Sequence, residues 1–177
     1  SASAASDGPD AKTNALLSYW KTHSGADEEA AAPLPPELAD IFDYDQLTES
    51  AIQPHRKQFT AEQIGRYTKI FGDLLRRTVH TRAGSALGKT DYKVAKSKKK
   101  GKSTEVEVSA YLPDEDITTR VVFVWERASA WQVVDVRIDG ASLVADYRNQ
   151  FGRMINKDGV DGFIAKLERR LAKTRNG

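Results

Sequence analysis

The fold is decided by the segment Trp131–Leu171, which reads WQVVDVRIDGASLVADYRNQFGRMINKDGVDGFIAKLERRL. Its opening residues alternate in character, which predicts a strand that places Val134, Val136 and Ile138 on one face. The residues that follow carry apolar side chains at helical spacing. Gly159 divides them, because glycine suits the left-handed conformation that ends a helix. The segment therefore predicts one strand followed by two helices.

Both predicted helices carry a single apolar face, as expected for helices that cover a core. Ser142 stands where a side-chain oxygen caps the start of the first helix. The apolar faces consist of Val144, Tyr147, Phe151, Met154 and Ile155 in the first helix and Phe163, Ile164, Leu167 and Leu171 in the second.

Upstream of this segment, the sequence predicts a long helix and three further strands. The capping box TAEQ at residues 60–63 begins the helix. The strands are expected at Asp91–Lys98, Thr104–Leu112 and Thr118–Glu126. Short connections between them indicate an antiparallel meander. The predicted fold class is α+β, with a four-stranded curved antiparallel meander packed against long helices, an order that resembles the NTF2-like folds.

The N-terminal residues 1–33 are predicted to be an acidic, Ala-rich arm that is partly flexible. Residues 34–177 are predicted to form a single α+β domain. The arm contains one short predicted helix near residues 14–22. We expect its cluster of Leu16, Leu17, Tyr19 and Trp20 to dock against the body, because so much exposed apolar surface would lower solubility.

Composition and charge limit the classes of function. The chain has no Cys, which excludes disulfides and thiolate metal sites, and no apolar run approaches the roughly 20 residues of a membrane span. Residues 1–50 hold ten acidic residues against two Lys, a net charge of −8. Residues 51–177 hold 25 Lys and Arg against 15 acidic residues, a net charge of +10. A basic body favours anionic partners, namely nucleic acid, lipid headgroups or an acidic protein face.

The strongest charged feature is a lysine cluster near Gly101, for which two interpretations stay open. It is either a solvated turn or a protruding hairpin that meets anionic headgroups or an acidic partner. Few aromatic residues lie among these lysines, so the cluster gives little support to nucleic-acid recognition. Its members are Lys93, Lys96, Lys98, Lys99, Lys100 and Lys102.

Catalytic and metal-binding motifs are absent from the sequence. It contains no nucleophile elbow, no dinucleotide or phosphate loop and no H-E-x-x-H motif, and the three histidines lie far apart. Asp135 is the best candidate for a catalytic base. Its expected position opposite Val134 and Val136 favours a structural role instead, with Arg137, Arg148 or helix amides as partners.

The segment Trp131–Leu171 resembles the signature of the MlaC family, the periplasmic lipid carriers of the system that maintains lipid asymmetry. The resemblance extends to FTAEQIGRYTKIFGDLLRRT at residues 59–78. Two features depart from the family pattern: Trp125 stands where Tyr is expected, and the N-terminal arm is longer than expected. The matching residues are Trp131, Asp135, Val136, Gly140, Ser142, Leu143, Tyr147, Arg148, Phe151, Gly159 and Leu167.

This resemblance implies a soluble phospholipid carrier in the periplasm, present as the mature form without a signal peptide in this chain. The implied partners are a phospholipid, an outer-membrane lipoprotein complex and an inner-membrane ATP-driven lipid transporter complex. It implies no enzyme activity, no cofactor, no metal and no nucleic acid, and it implies a monomer with transient membrane contact only. Acyl chains are expected in an apolar cavity between sheet and helices, lined by Phe71, Leu74, Leu75, Val106, Val108, Val122, Val124, Val134, Val136, Ile138, Val144, Tyr147, Phe151, Ile155, Phe163 and Leu167.

Two alternatives from other classes remain. One is an NTF2-like enzyme for a small molecule, in which Asp135 acts as a base inside an apolar pocket. The other is a basic module that binds nucleic acid or protein, which the charge of the body favours.

Overall fold

The computed structural model describes residues 8–23 and 34–176. These residues fall into two compact units, each assembled from segments that are distant in sequence. The strand unit comprises the described residues of 1–43 together with 81–142. The helical unit comprises 44–80 and the described residues of 143–177. The predicted linker at residues 24–33 and the first seven residues of the arm lie outside the described residues.

The described part of the strand unit contains an antiparallel sheet of six strands. The order is β1-β3-β4-β5-β6, and β2 also pairs with β3. The predicted antiparallel pairing is confirmed, and the predicted number of four strands is wrong. The strands are β1 (Asp91–Val94), β2 (Lys98–Lys100), β3 (Ser103–Leu112), β4 (Ile117–Arg127), β5 (Trp131–Ile138) and β6 (Ala141–Ser142).

The two additional strands have different physical origins. The predicted first strand is split at residues 95–97, where the Ser97 amide donates to Asp10 Oδ1 at 3.0 Å instead of continuing the ladder. The short strand β6 exists because Asp139 and Gly140 form a two-residue turn with φ values of 48° and 87°. Positive φ at both positions is the type I′ hairpin geometry, which Asp-Gly favours.

A register shift in β5 changes which of its side chains share a face of the sheet, compared with the prediction. Trp125 pairs with Val133, but Phe123 pairs with Val136, so one extra residue is accommodated between these two pairs. This irregularity places Val133 and Val136 on the same face, and Val134 instead clusters with valines of the other face. The prediction that Val134 shares a face with Val136 and Ile138 is therefore wrong. A bulge shifts the two-residue alternation by one position.

The N-terminal helix α1 (Pro9–His23) packs on the sheet of the strand unit. Leu16, Leu17 and Trp20 are buried, and the Trp20 ring lies 6.3 Å from the ring of Phe123 on β4. Lys12 Nζ donates to the Trp131 carbonyl at 3.0 Å. The predicted docking of this apolar cluster is confirmed, and the helix begins earlier than expected.

A short helix, α2 (Pro36–Ala39), precedes residues 41–43. These residues run alongside β5 and form a parallel bridge with it, in which Phe42 pairs with Val133. The Val133 amide donates to the Ile41 carbonyl at 2.8 Å, and the Asp43 amide donates to the Val133 carbonyl at 2.9 Å. This parallel bridge lies beside the irregular part of β5 and fixes the backbone of Val133.

The helical unit is built from α3 (Tyr44–Ile52), a 3₁₀ helix (Gln53–Gln58), residues 61–80 of α4 (Ala61–Leu87) and α5 (Leu143–Asn176). The predicted capping box at the start of α4 is confirmed. The Thr60 amide donates to Gln63 Oε1 at 2.8 Å, and the Gln63 amide donates to Thr60 Oγ1 at 3.1 Å. The helix α5 is broken at Gly159, where φ is 72° and ψ is 176°, so the predicted division into two helices is confirmed.

The two halves of α5 form hydrogen bonds with different helices of the helical unit. In the first half, Arg148 Nε donates to the Ser50 carbonyl at 2.7 Å. In the second half, Asp161 accepts from Gln63 Nε2 at 2.9 Å, and Glu168 accepts from Arg66 Nη2 at 2.9 Å. The two halves on either side of Gly159 therefore have different hydrogen-bond partners, on α3 and on α4.

Candidate functional site

The predicted lining residues of the helical unit form an aromatic cluster. The Phe71 ring lies 5.1 Å from Tyr147 and 5.0 Å from Phe151, and Phe151 lies 4.8 Å from Phe163. These separations are those of favourable ring pairs, with several edge-to-face arrangements. Among the other predicted members, Leu75, Val144, Ile155 and Leu167 are buried, whereas Leu74 and Tyr147 are half-buried.

Tyr67 belongs to this cluster although it was not among the candidate residues. Its ring lies 5.7 Å from Phe71 and 5.8 Å from both Phe59 and Phe163, and its hydroxyl donates to the Thr48 carbonyl at 2.7 Å. Burial raises the pKa of Tyr67 well above its ordinary value, so the phenol stays neutral. Helical spacing with Phe71 is the sequence signal that identifies it.

The predicted lining residues of the strand unit are divided between the two faces of the sheet. Register places Val106 and Val108 beside Phe123 and Val121, which is the face that α1 covers. Val136 and Ile138 are on this face as well, and Ile138 is 51% exposed. The opposite face carries the buried cluster Val122, Val124 and Val134. No single face of the sheet presents the whole predicted set.

The valine cluster is bordered by ion pairs that sequence analysis did not find. Arg137 Nη2 donates to Glu105 Oε1, and these side chains are 32% and 12% exposed. The same carboxylate lies 3.5 Å from Lys100 Nζ. Nearby, Arg120 pairs with Glu107. Partners 32 residues apart on non-adjacent strands leave no local pattern in the sequence.

Asp135, the candidate catalytic base, has structural hydrogen bonds. Its Oδ1 accepts from the Val136 amide at 2.8 Å, and its Oδ2 accepts from the Ser142 hydroxyl at 2.6 Å. The carboxylate therefore links β5 to the residue that precedes α5. Arg137 donates to Glu105, and Arg148 donates to the Ser50 carbonyl.

Among residues 8–23 and 34–176, few titratable side chains are buried. Burial lowers the pKa of His80 on α4 to about 4, so its ring is neutral at pH 7. Within residues 8–23 and 34–176, no group of three or more His, Cys, Asp or Glu side chains is arranged to hold a metal ion. No helix in the described part of the chain has the length and apolar character needed to cross a membrane.

The lysine cluster forms the outer edge of the sheet. The strands β1 and β2 both lie outside β3, and the turn at Gly101 has a φ of 60°. The predicted lysine-rich turn is therefore confirmed. All six lysines of the predicted cluster are exposed.

Comparisons with known proteins identify what this arrangement is similar to. A family model described as MlaC protein matches residues 10–169. A solved structure of a phospholipid-binding protein from Ralstonia solanacearum, determined in complex with a phospholipid, superimposes with a TM-score of 0.68. The two chains are 21% identical, and the match covers 93% of this chain and 94% of that one. This structural likeness shows the fold.

Proposed function

The chain belongs to the MlaC protein family, and on this premise we propose that it binds phospholipid and transports it through the periplasm. The observation that carries the proposal is the family match over residues 10–169, which includes segments of both units. In finer detail, the chain acts as a monomer that exchanges lipid between an outer-membrane lipoprotein complex and an inner-membrane ATP-driven transporter complex. It is a binding protein rather than an enzyme, and it needs no cofactor.

The physical need for such a carrier follows from the cost of exposing acyl chains to water. Burial of one methylene group away from water is favourable by roughly 0.8 kcal/mol of free energy. Transfer of two acyl tails, of about 16 carbons each, into water therefore costs on the order of 25 kcal/mol of free energy. A carrier has to bury the tails and leave the phosphate wet, because burial of an unpaired charged group is costly.

We expect the acyl chains to contact the apolar residues predicted from the sequence, including the aromatic cluster of the helical unit. Leu74 and Tyr147 are half-buried members of that set, whereas Phe151 and Phe163 are buried. Half-buried apolar side chains are the positions at which a ligand removes further apolar surface from water. The cavity itself remains a prediction.

The test of the proposal is native mass spectrometry of the purified chain, followed by solvent extraction and lipid analysis. The expected result is a stoichiometric mass excess that extracts as phospholipid. Delipidated protein should also recover this mass excess after incubation with phospholipid vesicles. A chain that carries no lipid and also fails to take it up from vesicles would refute the proposal.

A charge placed among the tail-binding residues should lower the retained lipid. We expect Leu74→Glu to reduce bound phospholipid at least about tenfold, because an acyl chain offers a carboxylate no partner. Thr68→Glu is the matched control, since Thr68 is exposed on the same helix. Circular dichroism should first establish that both variants are folded. Equal lipid retention in the two variants would remove Leu74 from the site.

A further inference from the structure

The edge of the sheet formed by β1 and β2 is a strongly cationic surface. Residues 89–102 contain seven lysines against the single carboxylate of Asp91. All seven lysines are exposed. This surface, called the lysine edge below, consists of Lys89, Lys93, Lys96, Lys98, Lys99, Lys100 and Lys102.

Three carboxylates near the lysine edge have cationic partners, and a fourth, that of Asp10, accepts hydrogen bonds from the Ser97 amide and hydroxyl. Asp91 Oδ1 lies 3.6 Å from Lys21 Nζ of α1. Glu105 is shared between Arg137 and Lys100, and Glu126 lies 3.9 Å from Lys102. Among the described residues, no ion pair joins the other five lysines of the edge to a carboxylate. The edge therefore has unneutralised positive charge.

The register of β2 distributes these charges around both faces of the sheet. Lys98 pairs with Glu105 and Lys100 pairs with Ser103, which places both lysines on one face. Lys99 pairs with Thr104 and lies on the other face. Cations on both sides of an edge can contact a broad anionic surface together, whereas a narrow groove would receive one row only.

The chemistry of the lysine edge favours a diffuse anionic surface over a protein or a nucleic acid. Protein interfaces are centred on apolar or aromatic anchors and are depleted of Lys. Readers of single-stranded nucleic acid present exposed aromatic rings for base stacking. Here the sole aromatic residue of the segment, Tyr92, is half-buried, and Lys21 Nζ lies 5.5 Å from the centre of its ring.

We propose that the lysine edge docks the protein on bilayers rich in anionic phospholipid headgroups. Lysines near such a bilayer are attracted by its negative surface potential, and the attraction fades within a Debye length of about 8 Å at physiological salt. Docking of this kind is reversible and sensitive to salt. It goes beyond the proposed lipid site, because it concerns the membrane that the protein approaches and not the lipid that it holds.

Lysines on an edge strand also prevent strand pairing between copies of a protein. Charge reversal separates this role from docking. Glutamates at these positions would still make the edges of two copies repel each other, but they would no longer attract an anionic bilayer. The triple variant Lys98→Glu/Lys99→Glu/Lys100→Glu should therefore stay monomeric and lose only its attraction to anionic bilayers.

The experiment is co-sedimentation of the full chain with vesicles of phosphatidylglycerol and phosphatidylcholine, compared with vesicles of phosphatidylcholine alone. The clustered triple variant is compared with the scattered variant Lys57→Glu/Lys69→Glu/Lys157→Glu, which has the same net charge at three other exposed positions. We expect about 100-fold weaker binding to anionic vesicles in the clustered variant, since each lysine contributes about fivefold. The scattered variant should stay within about tenfold of the wild type.

Three outcomes would overturn the proposal. One is a wild-type protein that does not bind anionic vesicles, or binds both kinds of vesicle equally. Another is equal weakening in the clustered and scattered variants, which would indicate an effect of net charge alone. The last is binding of a soluble poly-glutamate peptide without vesicle binding, which would assign the edge to an acidic protein. Failure of the lipid-carrier proposal is separate, because it appears as absent cargo in native mass spectrometry.

Discussion

At Gly152 the helix α5 passes so close to His55 that a methyl group has no room. A Cβ atom at this position would lie 2.7 Å from His55 Nε2 and 2.9 Å from Cε1. Alanine is favoured over glycine within a helix by up to about 1 kcal/mol, but overpacking costs about 1–3 kcal/mol. We expect Gly152→Ala to lower the free energy of unfolding by about 1 kcal/mol, measured by urea denaturation.

The control for this prediction removes the obstructing ring. In a His55→Ala background, the same Gly152→Ala change should raise the free energy of unfolding by up to about 1 kcal/mol, because the helix preference for alanine then acts alone. A change of the same sign in both backgrounds would contradict the close packing of Gly152 against His55.

Titration of His80 should make stability depend on pH in a defined window. The pKa of His80 is lowered by burial from 6.5 to about 4, so between these values the unfolded chain binds a proton that the folded chain does not. The free energy of unfolding should therefore fall as the pH drops from 6.5 towards 4, by up to about 3 kcal/mol, with no further contribution below 4.

The variant His80→Gln should flatten this dependence in urea denaturation followed across the same pH range. His23→Gln, at an exposed position on α1, should keep the slope of the wild type. If both variants retained the wild-type slope, His80 would not be the group responsible.

Among the elements, the break in α5 depends on a conformation that is reserved for glycine. At Gly159, φ is 72° and ψ is 176°, a region in which other residues cost about 1–3 kcal/mol. We expect Gly159→Ala to lower the free energy of unfolding by this amount in urea denaturation. Gly65→Ala, at an exposed position within α4 where a Cβ meets nothing within 4 Å, should raise it by up to about 1 kcal/mol. Stabilisation by both changes would exclude strain at Gly159.

Elements that depend on local signals could be predicted from the sequence, and those that depend on distant contacts could not. The capping box at Thr60 and the break at Gly159 involve neighbouring residues and were found correctly. The bulge in β5 was missed because Val133 and Val134 are both apolar, so alternation does not show which one faces α1. The split between β1 and β2 depends on Asp10, which lies 87 residues from Ser97.

In the candidate site, too, features with local sequence signals could be predicted and those that depend on distant contacts could not. Burial of Phe71, Phe151 and Phe163 could be predicted from helical spacing. Spacing does not distinguish a residue that contacts a ligand from one that fills a core, since both patterns bury the same face. The Arg137–Glu105 pair was missed because its partners belong to strands that β4 separates.

At the scale of the whole molecule, bound phospholipid should raise thermal stability. A ligand that binds only the folded state contributes about 2.7 kcal/mol at a concentration of 100 times its Kd. For a chain of this length, that corresponds to a rise in Tm of roughly 5–10 °C. We expect delipidated protein to regain this difference in differential scanning calorimetry when phospholipid is added.

Leu74→Glu provides the comparison for this measurement, because the variant should respond less to the same lipid. A Tm that is unchanged by phospholipid in the wild type, under conditions in which lipid uptake is measured independently, would mean that the lipid binds the folded and unfolded states equally.

The discontinuity of both units determines when a newly made chain can complete its fold. The strand unit joins α1 to strands that end at Ser142, and the helical unit joins residues 44–80 to the 34-residue helix α5 at the very end of the described chain. Neither unit can therefore close around its core until both of its distant segments have been synthesised. Such non-local closure slows folding, because the entropy of long loops is lost before distant contacts form. Each unit should therefore fold more slowly than a unit built from one continuous stretch of chain, and its apolar surface should stay exposed for longer before the fold is complete.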